Sequence, residues 1–350
     1  MRIDPFAVPL VEPFDTARGR MTERRGFLVT VERDGEVGVG EATPLPGWTE
    51  TYDDCAAALE RAARAHAASA ECETAALAAC EGAPAARHAV SLAYADATAR
   101  ARGLPLYRSL GAGDPLCDVE TDGSVETVPV NATVGDADAE ATADRVGDAV
   151  ADGFETVKLK VGARSLDADL ARLDATREMV PDATLRVDAN GAWDVATAER
   201  ARSALPAIEY VEQPLAAPSL DAHAALRGRT AVALDESVAA AGLDAVLETE
   251  AADVVVLKPM ALGGVEKAVE AGRRARAAGV EPVVTTTFDA VYARTAAVHV
   301  AAALAPLPAC GLATGDALAA DLAPDPAPVS GGGVAVPQGK GNGVPAPLGE

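Results

Sequence analysis

Lysine is nearly absent from this chain. Of 30 Lys and Arg residues only five are lysine: Lys158, Lys160, Lys258, Lys267 and Lys340. Wherever a bare positive charge suffices the sequence uses arginine. Three of the five fall in strand-end motifs, and an ammonium whose pKa burial and neighbours can lower is something a guanidinium cannot imitate. Aromatics make up only 3% of residues, so a core built here is mostly Ala, Val and Leu. The five cysteines (Cys55, Cys72, Cys80, Cys117, Cys310) are odd in number and contain no C-x-x-C. That speaks against a disulfide framework or a zinc cluster and fits a reducing cytoplasm. No apolar run reaches the roughly 20 residues of a membrane helix, and the opening MRIDPFAVPL has no signal-like apolar region. The four histidines, His66, His88, His223 and His299, all fall in helix-patterned segments and read as surface or core positions.

What is present is length, apolar content and negative charge. With 350 residues, 49% of them hydrophobic, the chain can build a full barrel plus a smaller domain. A net charge of −23 and a pI near 4.5 exclude the basic patch that nucleic acid requires and a polybasic membrane contact. Asp and Glu are spread along the chain as a solvating surface, and an acid-rich, lysine-poor surface points to a salt-adapted source.

The stretch from Lys158 to Lys258 organises the rest. Five short β-branched runs, ETVKLK, TLRVD, IEYVE, TAVALD and ADVVVLK, end on or beside Lys160, Asp188, Glu212, Asp235 and Lys258. Each is followed by turn residues and then an Ala-rich amphipathic segment, which is strand, loop, helix, repeated. The steps between those endings are 28, 24, 23 and 23 residues, about one βα unit each. A charge ending a strand buried on both faces is out of place in a core. At the C-terminal mouth of a barrel it is expected, because catalytic groups sit there.

Upstream, residues 1 to about 50 read as β, with two strands of GFLVTVERDGEVGVGEATPL joined by a turn at Asp34 and Gly35. The PLPGWTE loop follows, its Trp48 either a lid contact or a packing anchor. One helix is expected from about Tyr52 to Ala79 and another from Pro84 to Arg102. TVPVNATV (127–134) is the expected first barrel strand, with Asn131 placed 27 residues before Lys158. EPVVTTTF and ACGLATG supply the last two of eight. The expected architecture is α/β, a (β/α) TIM-type barrel with an N-terminal α+β capping domain. It divides into a capping domain (1–120), a barrel (121–315) and a Pro/Gly-rich segment (316–350). That segment's VAV, between Gly333 and Pro337, reads as a short strand packing back on the capping domain.

Singly, Asp188, Glu212 and Asp235 could be helix caps or rim salt bridges. Together, at matching strand ends, they form a hard all-oxygen set suited to Mg²⁺, with Mn²⁺ as a substitute. Lys158 and Lys160 are two apart on one strand and share a face. Two adjacent ammonium groups disfavour each other's charge, which suits one of them to general-base work. Lys258 enters four strands away. A base and a divalent metal together suit removal of a proton α to a carboxylate, so the expected partner is a small-molecule carboxylate. Arg186 also faces inward, to hold a second substrate carboxylate or to pair with Glu212. Asn190, Thr286, Gly47 and Trp48 complete the candidates for substrate contact.

K-x-K, V-D-A-N, E-Q-P, D-E-S and K-P-x-x-x-G-G (Lys158 to Gly264) stand here in the order and spacing that resemble the enolase superfamily, muconate-lactonizing-enzyme subgroup. The resemblance covers nearly the whole chain. Within the subgroup, RRGFLVTVERDGEVGVGEATPLPGWTE, with its G-E-x-x-P-L-P-G, is similar to the o-succinylbenzoate synthase family of menaquinone biosynthesis. The resemblance implies that Lys160 takes the α-proton and later helps water leave. It implies that Lys258 stabilises the enediolate from the other face, that Asp188, Glu212 and Asp235 ligate Mg²⁺, and that loops near residues 14–26 and 44–50 close over substrate. The implied reaction is syn dehydration of 2-succinyl-6-hydroxy-2,4-cyclohexadiene-1-carboxylate to 2-succinylbenzoate. Dipeptide epimerases of the subgroup carry Asp-x-Asp after the eighth strand, where this chain has CGLATGD. A mandelate-racemase-type enzyme needs a His base on the seventh, where this chain has TTTFDA. N-acylamino acid racemases share both lysines and remain the alternative.

Overall fold

The computed structural model describes residues 1–16, 19–111 and 124–347. It begins with an antiparallel meander, β1 (Arg2–Thr16), β2 (Gly19–Arg33) and β3 (Glu36–Ala42). Asp34 and Gly35 both take positive φ, 52° and 78°, as a two-residue hairpin turn requires. Three helices follow: α1 (Tyr52–Ala68), α2 (Cys72–Ala79) and α3 (Pro84–Ala101). The single helix expected over 52–79 is thus two. Ser69 Oγ accepts the Glu71 N–H at 3.1 Å, offering the backbone a local alternative to the helical ladder. α3 starts on Pro84, whose missing N–H costs nothing in a first turn. It lies so close on β3 that a Cβ on Gly40 would stand 1.9 Å from Ala89 O, and one on Gly38 2.0 Å from Ala93 O.

The barrel sheet is parallel, in the order β11-β10-β9-β8-β7-β6-β5. Its strands are β5 (Ala132–Val134), β6 (Thr156–Lys160), β7 (Thr184–Asp188), β8 (Tyr210–Glu212), β9 (Ala231–Leu234), β10 (Val254–Leu257) and β11 (Glu281–Val284). The eighth position is only Cys310–Gly311, bridging Val130 on one side and Thr285 on the other. The strand expected over 127–134 is split. β4 (Thr127–Pro129) pairs with β13 (Gly333–Ala335), and β5 belongs to the barrel. Between them the chain changes partners: Val130 N–H still donates to Gly332 O at 2.9 Å, while Pro129 O accepts from Cys310 N–H at 2.7 Å and Asn131 N–H donates to Cys310 O at 3.0 Å.

Strand parity sorts the side chains. Val157, Leu159, Leu185, Val187, Val211, Val232, Leu234, Val255 and Leu257 face outward into one buried cluster against the barrel helices. Each such side chain contributes about 1.5–3 kcal/mol over leaving it in water. The alternate positions face the axis. Tyr210, Ala233, Val254 and Val283 form a small apolar layer there, and the charged strand ends continue the same parity.

The segment after Asp316 first meets the capping sheet, where Leu318 bridges Leu10 of β1 and Ala319 N–H donates to Pro9 O at 2.9 Å. β12 (Val329–Ser330) and β13 form a sheet with β4. Further on, Gly341 exchanges main-chain bonds with Leu104 and Leu106, both 2.8 Å. Val344 O accepts Arg100 Nη2 at 2.8 Å, so the segment touches barrel and cap alike. The expected boundary near residue 120 lies outside the described residues, as does Cys117.

Cap and barrel are fastened by a buried carboxylate. Glu41, at the end of β3, accepts the N–H groups of Ala290 (2.8 Å) and Ala293 (2.9 Å), at the start of the Val291–Ala303 helix. It also accepts from the Thr43 hydroxyl. Ala290 has no side chain with which to cap that helix, so a residue 249 positions earlier does it. Burial, reinforced by Asp289, pushes the Glu41 pKa up to about 7. Because folding raises this pKa, its stabilising share is complete below the unfolded carboxyl's range and is lost as pH rises through about 7. In urea unfolding, wild type should lose about 2–3 kcal/mol relative to Glu41→Gln between pH 5 and pH 8. Parallel pH profiles for the two proteins would contradict this.

Candidate functional site

Three lysines and three carboxylates meet at the C-terminal ends of β6 to β10. The register sets Lys160 beside Asp188 and Asp188 beside Glu212 on successive strands. Lys158 Nζ lies 3.0 and 2.9 Å from the two Glu212 oxygens and 3.5 Å from Asp188 Oδ2. Lys160 Nζ is 2.5 Å from Asp188 Oδ2 and donates to Asn190 Oδ1 at 2.9 Å. Lys258 pairs with Asp235. Of the three lysines Lys160 is the accessible one, its side chain 38% exposed against 12% for Lys158 and 10% for Lys258.

The electrostatics differ from the sequence expectation in one respect. Burial disfavours the Lys158 ammonium, but Glu212 and then Asp188 more than reverse that, and its pKa is raised. Lys158 is a counter-ion held charged, with the carboxylates outweighing its neighbour's ammonium. Burial likewise works against the Asp188 carboxylate, yet Lys158 and Lys160 hold it below the usual range. For Glu212 burial dominates, joined by repulsion from Asp188, and the pKa rises to about 7. Asp235 is raised chiefly by burial.

Around this centre several groups act as braces. Gln213, at φ 40°, accepts the backbone N–H of Asp235 (3.2 Å) and Ser237 (3.1 Å) and donates to Ser237 Oγ (2.7 Å). It holds the β9 end in place from the β8 end. Its only sequence signal is its place in VEQP. Asn190 ties Lys160 to Glu236, donating to Glu236 Oε1 at 3.0 Å. Thr286 is buried and shares a hydroxyl contact of 3.0 Å with Thr314. Gly47, at φ 111°, precedes Trp48, whose ring centroid is 3.2 Å from Lys258 Nζ.

Arg186 is a correction. It is fully buried and donates to Glu209 Oε2 (2.6 Å), Asn131 Oδ1 (3.1 Å) and Ala309 O (2.5 Å), with its guanidinium 4.6 Å from the Tyr210 ring. Two residues below Asp188 on β7, it belongs to the layer beneath the rim. Its acidic partner is Glu209 and not Glu212, and its Nε and Nη1 donors are engaged by protein groups.

The loops expected to cover the site take a different form on one side. Most of 14–26 is the β1–β2 hairpin, with residues 17 and 18 outside the described residues. Met21 and Arg24 of β2, Leu45 of the capping loop, Phe288 of the barrel and Asp316 at the start of the segment that follows it line a cavity of about 290 Å³.

Among the described residues, no three His, Cys, Asp or Glu groups gather closely enough to hold a metal ion. Each carboxylate is instead drawn to a lysine. The donor chemistry nevertheless fits a hard divalent cation. Three buried carboxylates come from neighbouring strand ends, and Glu212 feels the charges of both Asp188 and Asp235. Asp188, Glu212 and Asp235 are the residues that would hold it. No helix among the described residues is long and apolar enough to cross a membrane.

Comparison with known proteins matches both halves of the chain. Residues 2–111 match the mandelate racemase / muconate lactonizing enzyme N-terminal domain, and residues 141–346 match the enolase C-terminal domain-like family. The o-succinylbenzoate synthase of Thermobifida fusca is 44% identical over 210 residues, 57% of this chain and 64% of that protein. That of Mycobacterium tuberculosis is 40% identical over 215 residues, 59% and 63%. The match therefore spans just under two thirds of these relatives' own length. Among solved structures, the L-Ala-D/L-Glu epimerase of Bacillus subtilis superposes with a TM-score of 0.84 at 29% identity, covering 98% of this chain and 97% of its own. A dipeptide epimerase of Enterococcus faecalis gives 0.84 at 27%, covering 98% of each chain. The N-succinyl Arg/Lys racemase of Bacillus cereus shares the fold at 24% identity, with a TM-score of 0.84 over 99% of this chain and 95% of its own. Matched in both halves, the chain belongs to the enolase superfamily, in the group of mandelate racemases and muconate lactonizing enzymes.

Proposed function

We propose that this enzyme dehydrates 2-succinyl-6-hydroxy-2,4-cyclohexadiene-1-carboxylate to 2-succinylbenzoate, with Lys160 as the proton-transferring group. The observation that carries the reading is the arrangement of Lys160 and Lys258 at strand ends four strands apart, with three buried carboxylates on the strands between. Identities of 40–44% to proteins named o-succinylbenzoate synthase support the choice of substrate.

Lys160 is the accessible lysine and lies where a substrate can meet it. Its free amine takes the proton α to the substrate carboxylate, and the C–H electrons move into the carboxylate. Lys258 faces the developing negative charge from β10 as a fixed cation. Lys158, held charged between Asp188 and Glu212, stays a counter-ion. In the second half the electrons return, the C–OH bond breaks, and the proton on Lys160 leaves with the hydroxyl as water while the ring becomes aromatic. Asp188, Glu212 and Asp235 would hold a Mg²⁺ ion, which when bound would supply charge stabilisation for the substrate carboxylate. Asn190, which orients Lys160 through its 2.9 Å bond, keeps the amine on one face of the substrate.

A second reading, racemisation or epimerisation of an N-acyl amino acid or dipeptide, is favoured by structural neighbours that cover the whole chain. It needs the same first step, with the proton returned on the opposite face. Purified protein loaded with Mg²⁺ should consume the diene, followed by loss of its absorbance, and leave the optical rotation of N-succinyl amino acids unchanged. The reverse outcome selects the racemase.

Lys160→Arg should fold normally and lose about 10²–10⁴-fold in kcat, because a guanidinium cannot accept the proton. Near-normal turnover would overturn the assignment. Mg²⁺ or Mn²⁺ at about 100 times its Kd should stabilise the protein by about 2.7 kcal/mol in thermal unfolding, and Asp188→Asn should abolish most of that gain. An unchanged melting curve in both metals would remove the metal from the proposal.

A further inference from the structure

Arg24 lies on β2, in the cap, and is 3% exposed. Its guanidinium bonds to oxygen go to main-chain carbonyls, Nη2 to Thr43 O at 2.7 Å, Nη1 to Pro44 O at 3.3 Å and Nε to Phe288 O at 3.1 Å, and Nη1 also reaches Met21 Sδ at 3.8 Å. The first two belong to the capping loop that runs to Trp48. The third follows β11, in the barrel. A planar fork with fixed donor directions serves carbonyls from separate segments at once, which an ammonium on a flexible stem does not.

What lies beyond those carbonyls is rigid. Leu45 O accepts the N–H groups of both Trp48 and Thr49 at 2.9 Å, and Leu45 N–H is bound by Thr49 Oγ1 at 2.7 Å. Pro44 and Pro46 restrict the backbone further. The turn from Pro44 to Thr49 therefore moves as a piece, and its position is set where Arg24 grips it. On the barrel side Phe288 holds φ at 59°, in the left-handed region that a bulky residue occupies only when its surroundings impose it. Its carbonyl is thereby a fixed anchor. The turn ends on Trp48, whose ring lies over the Lys258 ammonium at 3.2 Å. Asp235 takes the same ammonium from another side.

We propose that Arg24 is a positioning residue: it pins the Thr43–Thr49 turn to the barrel so that the indole of Trp48 stands on the ammonium of Lys258. Trp48 then acts on the enzyme's own cation as well as bordering the substrate. The ring face attracts the charge, limits the directions in which the long lysine stem can swing, and keeps water from that side. The kinetic part of this proposal rests on the function proposed above, since it takes Lys258 as part of the reacting centre. The structural part does not.

The two parts are tested separately in a Trp193→Phe background, where Trp48 is the remaining tryptophan of the two in the chain. Quenching of its emission by acrylamide should become two- to threefold steeper in Arg24→Met. Unchanged quenching overturns the proposal whatever the catalytic activity. In a cycle of Arg24→Met, Trp48→Leu and the double variant, each single substitution should lower kcat at least tenfold with a smaller change in KM. The double variant should be no more than about twofold slower than the slower single one, because both act through one contact. Losses that multiply would show Arg24 acting independently of Trp48 and overturn it. If Arg24→Met does not fold, Arg24→Lys, which keeps the charge and loses the fork, reads the same two quantities against the same criteria. An unsubstituted enzyme that turns over no diene would count against the proposed function, while the quenching result would still decide the coupling.

Discussion

The Lys158 ammonium lodged between Asp188 and Glu212 is the contact on which the rest of the molecule leans. Three carboxylates in a buried rim repel one another and lose hydration, and unpaired they would each cost several kcal/mol. The barrel accommodates them because strand order delivers a lysine to each: Lys158 and Lys160 from β6, Lys258 from β10. The same parity that turns these groups inward turns Val157, Leu159, Val187 and Leu234 outward into the helix layer. A slip of one residue in any strand would exchange the two sets. The apolar cluster and the charged rim therefore enforce each other's register.

The cap depends on this barrel as closely as the barrel's rim depends on the cap. The Val291–Ala303 helix has no cap of its own and takes one from Glu41. Arg24, in turn, gathers the capping loop and Phe288, in the loop after β11, around one guanidinium. Polar groups that would be costly to bury alone draw part of their satisfaction from across the boundary between the two parts. That favours a closed cap, together with apolar contacts across the same boundary, where Leu28 and Val39 of the cap pack with Val291 and Tyr292 of the barrel.

The barrel was readable because its strands are short, β-branched and evenly spaced, and each ends on a residue type that a core rejects. The same spacing named Lys160, Asp188, Glu212, Asp235 and Lys258, and the structure brings all five to neighbouring strand ends. Features that depend on non-local partners were not readable. Arg186 has the inward parity of a ligand-binding residue, and only the folded chain shows Glu209, Asn131 and Ala309 around it. Arg24 and Glu41 look like ordinary surface charges of a β-meander until the barrel arrives over them. The break between α1 and α2 turned on one serine hydroxyl, a local competition that helical periodicity does not register. The partner of VAV was missed for a related reason. The strand itself was legible, but its partner, β4, lies about 200 residues earlier in the chain.

The ring closes unevenly. Seven positions are occupied by strands and the eighth by Cys310 and Gly311 alone, held to Val130 and Thr285 by single bridges. Where fewer main-chain bonds must break, local opening takes less free energy. Amide hydrogens along this seam therefore exchange with solvent ahead of those in β6 to β10. Breathing of the barrel is steered away from the lysine–carboxylate rim and toward the wall beside Thr286 and Thr314. The protein thus keeps its most charged region still by having a soft line elsewhere on the same ring.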